Sequence, residues 1–456
     1  MVTCNSLDLT EGLLGMEVPK TSSKVRWKDG HTSILPAVYN EYQINVCNSV
    51  DIPIINYLAE FPSSTPASNH VLHLTNNDLG SDEILDRVEG ALGNNKPVVI
   101  RGVEHQPLAG EFTPDYLDRH FGISPNRAVY IHDVQARAAD HVNVTKPGTI
   151  ASFFASIMDP RKIKCVLDLP LAHTTLPQSL KHLDHGLVYG WNETLYDVPA
   201  KSNVHPENFT VKGWGLLHQA GYLTYPHHDA EGTLTWVRME FGLKFWTVFR
   251  LKSQYDNRIH IQEVVCRLGN FTEHEAWARE HCDAEVITLT RGDILIMPPG
   301  MPHAVYTPVK SFATGGHAYN FRCLHLSELA RYIDATTGDC TTNQKLEHAL
   351  ETLRRMLLAV PRLSPRIRLF KRPLLSLCIM ATQGQQYRAK GGSKHGVEDR
   401  ETAKPSADIA DAIFKHLGVS KRMPASTILY EGNQFVTGDE ISRDHLARVL
   451  KRFTVL

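Results

Sequence analysis

The sequence predicts an α+β protein, with a closed or two-sheet β core flanked by helices and followed by a helical C-terminal region. Two observations predict it. Between about residues 214 and 335, short apolar runs are separated by Gly/Pro turns: "LKFWTVF", "EVITLT", "DILIMPPG", "AVYTP" and "SFATGG". Many short strands at such spacing favour a barrel or a pair of sheets. On either side the periodicity is helical, in "SDEILDRVEGALG" and "TPDYLDRHFG" before the core and "NQKLEHALETLRRMLLAV" after it.

Residues 1–70 have weak periodicity and a Ser/Pro cluster, "FPSSTPASN", and read as an irregular N-terminal arm. The main domain is expected over 71–335. In its first helix Ser81 is placed to cap, acids fill the first turn and Gly93 closes it. "KPVVIRG" reads as a short buried strand. In the second helix Thr113 caps and Pro114 takes the first helical position. Residues 149–185 read as mostly helical with loops. Inside the strand-rich region, "EHEAWAREH" reads as a helix. Residues 336–382 are expected as a helical extension and 383–407 as a polar linker. Residues 408–456 are expected as a small C-terminal segment, helical at both ends.

The chain has 456 residues, 42% of them hydrophobic and 21% charged, so it can bury a sizeable core. A formal net charge of -1 makes no global demand for nucleic acid or a membrane. The N-terminus lacks a basic region followed by an apolar one, and no apolar run approaches membrane-spanning length. The 8 cysteines include no CxxC pair, which argues against zinc fingers and fits a reducing compartment. An intracellular protein is expected, with nucleus and cytoplasm equally open.

The stretch "LTYPHHDAEG" carries the chemistry. With 24 histidines, a His-x-Asp/Glu pair is weak evidence alone, and four occur: His182/Asp184, His205/Glu207, His227/Asp229 and His281/Asp283. Local structure separates them. In a strand, residues two apart share a face and can grip one ion. In a helix they diverge by about 200°. "SLKHLDH" reads as helix, His281 ends a helix, and "NVHPEN" is a turn. Only "PHHDA" lies between strand-like segments, so His227 and Asp229 are the ligand pair and His228 points away. A two-His-one-carboxylate set needs one more histidine. His303, at the mouth of a strand after "MPPGMP", is the best candidate, and His317 in "TGGHAYN" competes.

From about residue 71 to 335 the chain resembles the JmjC family of Fe(II)/2-oxoglutarate oxygenases. The resemblance lies in the order and spacing of "NKPVVIRG", "TPDYLDRHFG", "GYLTYPHHDAEGTLTWV", "EFGLKFWTVF" and "GDILIMPPGMPHAVYTP". It implies a double-stranded β-helix (jelly-roll, cupin-type) core. It implies iron bound by His227, Asp229 and His303, and catalysis by that centre. It implies that Lys244 of "GLKFW" pairs with the distal carboxylate of 2-oxoglutarate, the cosubstrate used with O2. The residues support Lys244 independently, because a lysine inside an apolar, aromatic strand is costly unless paired. The alternative is a lysine snorkelling to the strand edge. Thr224 resembles a hydroxyl that helps bind the same carboxylate, although strict alternation puts Tyr225 on the ligand face unless Pro226 breaks the pattern. Asn320 of "HAYNF" is a further candidate for the cosubstrate, with a strand-end amide as its alternative.

The expected function is oxygenation of a protein side chain, by hydroxylation or by demethylation through hydroxylation. The competing readings are an oxygenase of a small molecule or RNA, a cupin without 2-oxoglutarate, and a catalytically silent JmjC-like binding scaffold. The basic run at 354–372 could contact nucleic acid, but its interleaved apolar residues favour packing onto the core. The C-terminal helices could serve a homodimer. Trp214, Tyr222 and Trp236 are cleft candidates for which core packing is the stronger reading.

Overall fold

The structure is a computed structural model. It describes residues 23–103, 112–140, 143–159, 161–171, 174–186, 213–252, 258–337, 349–387, 400–422 and 437–454. It is a mixed α+β protein. The strands, in chain order, are β1 (Lys24–Arg26), β2 (Thr32–Ile34), β3 (Leu72–Thr75), β4 (Val98–Arg101), β5 (Ala128–Asp133), β6 (Thr145–Thr149), β7 (Lys164–Pro170) and β8 (Trp214–His218). They continue as β9 (Tyr222–His227), β10 (Leu234–Phe241), β11 (Leu243–Leu251), β12 (Cys282–Thr290), β13 (Ile294–Met297), β14 (His303–Thr307) and β15 (Ser311–Ala318).

Two sheets dominate. A nine-stranded mixed sheet has the order β3-β4-β13-β10-β15-β8-β7-β5-β6, and a four-stranded antiparallel sheet has the order β12-β11-β14-β9. Successive strands therefore cross between sheets: β8 lies in the large one, β9 in the small, β10 in the large, β11 and β12 in the small, β13 in the large, β14 in the small and β15 in the large.

The inner faces meet in one apolar cluster that joins Val237, Met239 and Leu295 of the large sheet to Trp246, Val248 and Ile287 of the small one. The outer faces are covered as well. Helix Ile84–Gly93 packs over Leu234, Trp236 and Ile296. This is why β10 and β11 are buried along nearly their whole length rather than at alternate residues.

Several expectations need correction. Residues 24–61 are not an irregular arm. The hairpin of β1 and β2 and helix Asp51–Ala59 cover the outer face of the small sheet, where Trp27 stacks on Phe245 at 3.9 Å between ring centroids. The first helix begins at Ile84, later than Ser81, whose hydroxyl instead accepts from the Glu83 amide in the preceding turn. The second helix stands as read, with the Thr113 hydroxyl accepting from Tyr116 N–H at 3.2 Å and Gly122 left-handed at its end.

Among the described residues, the region 149–185 has a short helix, Ile150–Ala155, and a 3-10 turn, Gln178–Leu183; between them runs β7. The strand was hidden because a bulge breaks its alternation. Val166 lies opposite Leu217 and Leu169 opposite Gly215, so three steps on β7 match two on β8.

At the C-terminus, helices Ala349–Ala359, Lys371–Thr382, Arg400–His416 and Arg443–Leu450 share one core with Tyr319, Phe321 and Leu324. The expected extension and terminal segment thus pack as one unit. The stretch read as a linker already enters a helix at Arg400, and its residues 388–399 lie outside the described ones. Two arginines of the basic run are spent internally: Arg355 on Glu351 at 2.8 Å, and Arg368 on both Glu440 and Asp86. Among the described residues, no helix is long and apolar enough to cross a membrane.

Candidate metal centre

Strands β9 and β14 are antiparallel neighbours, and their register sets His227 opposite His303. β9 ends at His227, and the turn that follows brings Asp229 back toward it. The nearest ligand atoms of His227, Asp229 and His303 all lie within 4.8 Å of one another. The two imidazole centroids are 4.3 Å apart, and His227 Nε2 is 3.8 Å from Asp229 Oδ1.

Each ring is held from behind. His227 Nδ1 meets the Tyr225 carbonyl at 2.8 Å, and His303 Nδ1 meets the Met301 carbonyl at 3.0 Å. A carbonyl only accepts, so both Nδ1 atoms carry the proton and both Nε2 lone pairs face the centre. Trp246 stacks on His303 at 5.3 Å. A hydrogen bond from the Thr235 hydroxyl steadies Asp229.

The protonation states suit a cation. Burial pushes His227 below the usual histidine range, and pushes His303 down to about 4. Burial raises the Asp229 carboxyl, but His303, His317, His227 and the Thr235 bond outweigh it and hold it at about 2. At neutral pH the site presents two neutral imidazoles and one carboxylate, and can hold a metal ion. Metal affinity is therefore expected to hold as pH falls through neutrality and to drop only in the acid range, where protons compete for the two imidazoles. Calorimetric titration with Mn(II) checks this. A tenfold loss per pH unit starting near neutrality would contradict it.

The other candidates fall where local structure puts them. His228 is fully buried on the opposite side, with Nε2 2.8 Å from Asp334 Oδ1. His182 and Asp184 sit on and just after a 3-10 turn, and His281 and Asp283 span a helix end and the start of β12. His205 and Glu207 lie outside the described residues. His317 stands beside the triad rather than in it. Its Nδ1 is 2.9 Å from Thr235 Oγ1, the hydroxyl that also bonds Asp229.

The triad opens into a cavity between the two sheets, lined also by Lys244, Thr224, Trp214, Trp246, Leu216 and Val305. Lys244 is 0% exposed, and its Nζ donates to Thr307 Oγ1 at 2.7 Å. It has no carboxylate partner among the described residues, and burial pushes its pKa down to about 7. No protein-family model matches this chain. The geometry therefore carries the functional argument.

Thr224 faces the cavity, and Tyr225 does not: the Tyr225 hydroxyl donates to Asp51 Oδ1 at 2.6 Å on the outer side of the small sheet. The reason is a bulge. Between the pairs His303/His227 and Val305/Thr224, β14 advances two residues and β9 three, so residues three apart share a face.

Asn320 does not join the site. Its amide donates to Glu89 Oε1 at 2.9 Å and to the Leu183 carbonyl at 3.0 Å, while its oxygen caps the next turn. It is a strand-end amide. Trp236 and Tyr222 pack into apolar clusters, and Trp214 both joins the inner cluster and lines the cavity.

Two cavity residues went unread in the sequence. His218, on β8, is 1% exposed, and both of its ring nitrogens lack partners among the described residues. Burial holds it neutral, well below the usual range. Asp168, on the bulge of β7, has a left-handed φ of 54°. Asp168 is exposed to solvent while lining the cavity, and partial desolvation by the surrounding protein, with Asp229, raises its pKa against the pull of His317. "LDLP" and "LLHQA" contain no motif that could have flagged either residue.

Proposed function

We propose that this chain is an Fe(II)- and 2-oxoglutarate-dependent oxygenase of the JmjC type that acts on a side chain of a protein substrate. The observation that carries the proposal is Lys244. A fully buried ammonium held by one threonine hydroxyl stands in the same cavity as a His-Asp-His cluster. Such a charge is costly without an anion, and a dicarboxylate cosubstrate supplies one. The strand order supports a double-stranded β-helix core. Strands crossing between the sheets in the orders β8-β15-β10-β13 and β9-β14-β11-β12 are what a wound jelly roll requires.

The residues divide the work. His227, Asp229 and His303 hold the metal, with their lone pairs set by the backbone carbonyls behind the rings. Lys244 orients the distal carboxylate of 2-oxoglutarate, and Thr224 is placed to add a hydroxyl contact. Trp214, Trp246, Leu216 and Val305 give the cavity apolar walls that limit water. When bound, the iron supplies the oxidation in which a substrate C–H, 2-oxoglutarate and O2 become C–OH, succinate and CO2. If the carbon is an N-methyl group, the product loses formaldehyde, so the same residues serve hydroxylation and demethylation.

The test is succinate formation by the anaerobically purified, Fe(II)-loaded chain with 2-oxoglutarate and O2 and no other substrate, run beside calorimetric 2-oxoglutarate binding. Turnover, or binding with turnover awaiting a substrate, is expected. If neither is found, the oxygenase reading fails and the fold acts as a scaffold.

A further inference from the structure

We propose that His218 is a second anion-binding residue of the cavity, donating a hydrogen bond to the same carboxylate of a bound dicarboxylate that Lys244 holds. The inference deepens the oxygenase reading and rests on it only for the identity of that dicarboxylate as 2-oxoglutarate.

His218 ends β8, and its partners across the large sheet place it. It lies opposite Cys165 on β7 and opposite Ser311 on β15, and Cys165 in turn lies opposite His132 on β5. Residues directly opposite on paired strands share a face. Leu216, two before His218, and Ala313, two after Ser311, pack in the inner cluster between the sheets. A row of four side chains with polar atoms therefore crosses the large sheet on the side that faces the small one.

Two members of this row are unsatisfied. His218 is 1% exposed and Ser311 0%, and neither imidazole nitrogen nor the serine hydroxyl has a partner among the described residues. Cys165, by contrast, is bonded to Tyr222. Buried polar groups are nearly always hydrogen-bonded, and an exception calls for a reason. His218 lines the cavity, where an apolar side chain would cost less. A ligand that accepts from the ring supplies the reason.

Lys244 reaches the same place from the small sheet. Its Nζ donates to Thr307 Oγ1, Thr307 lies opposite Tyr222 on β9, and the Tyr222 ring meets the His218 ring edge-on at 5.2 Å. The turn from β8 to β9 folds back onto the same threonine, with Gly221 N–H donating to the Thr307 carbonyl at 2.7 Å. Burial, Lys244 and His132 together hold His218 neutral, and burial keeps the Cys165 thiol and the Tyr222 hydroxyl protonated. None of these neighbours is an anion at neutral pH. A neutral imidazole still carries one N–H, so His218 can donate without taking up a proton while Lys244 supplies the charge.

The experiment is calorimetry at neutral pH on the full chain loaded with Mn(II), with 2-oxoglutarate and with glutarate, which lacks the 2-oxo group. His218→Phe keeps a ring against Tyr222 and removes both nitrogens, His218→Leu removes the ring as well, and His218→Gln keeps a donor. The phenylalanine and leucine variants are each expected to weaken both dicarboxylates by about 10-fold or more, the scale of one hydrogen bond to a charged group. Their Mn(II) affinity should not change, and the glutamine variant should bind more tightly than either. Because they delete unpaired buried nitrogens, neither apolar variant should melt below the parent. Parental dicarboxylate affinity in a folded apolar variant, or a parallel loss of Mn(II), overturns the proposal. So does a failure of both apolar variants to fold, since the imidazole would then be a packing residue. If the parent binds glutarate as tightly as 2-oxoglutarate and the variants lose both, the oxygenase reading fails and the role of His218 stands. If the parent binds neither, both fall.

Discussion

His227→Ala is expected to lower Fe(II) or Mn(II) affinity by more than about 100-fold, because loss of even an outer partner of a metal ligand costs about 10–100-fold. The argument is geometric. His227 and His303 face each other across two paired strands, and each is pinned through Nδ1. Neither His317 nor His228 can replace the missing nitrogen without breaking a bond. His317 is tied to Thr235, and His228 faces Asp334. Succinate formation should disappear with the metal, while the far-ultraviolet circular dichroism of the variant stays that of the parent. Metal affinity within threefold of the parent would show that the three residues are not the centre.

Lys244→Met is expected to have two opposite effects. It should weaken 2-oxoglutarate binding by about 30-fold or more, since removing one partner of a buried charge pair costs about 2–5 kcal/mol. It should also stabilise the ligand-free protein at neutral pH. The folded pKa of Lys244, about 7, lies below its unfolded value of 10.5. The unfolded chain therefore binds the extra proton between those values, and stability rises with pH across that window. The contribution is fully present above the unfolded pKa and is lost as pH falls through about 7. Each pH unit inside the window is worth up to about 1.4 kcal/mol. Melting of the parent should improve from about pH 7 to about pH 9, and methionine should remove that share of the slope. Unchanged cosubstrate affinity, or the same pH slope in both proteins, would contradict a buried, anion-seeking lysine.

The clustering of His227, Asp229 and His303 was legible because its geometry is local. A His-x-Asp pair at a strand end and a histidine opening a strand need only alternation to be paired with the right faces. Two bulges lay beyond that reasoning. One puts Thr224 rather than Tyr225 in the cavity, and Pro226 was the sole hint of it. The other hid β7 altogether, because the extra residue erases the period of two, and it took Asp168 out of view with the strand. The N-terminal region was misread for another reason. Its Trp27 lies far along the chain from Ile54 and Leu58, and the three become one layer only on the outer face of the small sheet. Asn320 lies two residues past β15 and looked like a site residue, but its partners Glu89 and Leu183 are distant in sequence and so invisible there.

The loop that carries Asp229 is clamped from far downstream. Asp334, on helix Leu324–Thr337, accepts from Glu231 N–H at 3.0 Å and pairs with His228 across a sequence separation of 106 residues. The Tyr319 hydroxyl donates to the Glu231 carbonyl at 2.7 Å. During synthesis a chain emerges from its N-terminal side, and distant contacts must wait for both partners. Both sheets can therefore be complete while the ligand loop is still slack. The candidate centre is complete only after helix Leu324–Thr337 has left the ribosome, so a metal held there would be loaded late in folding.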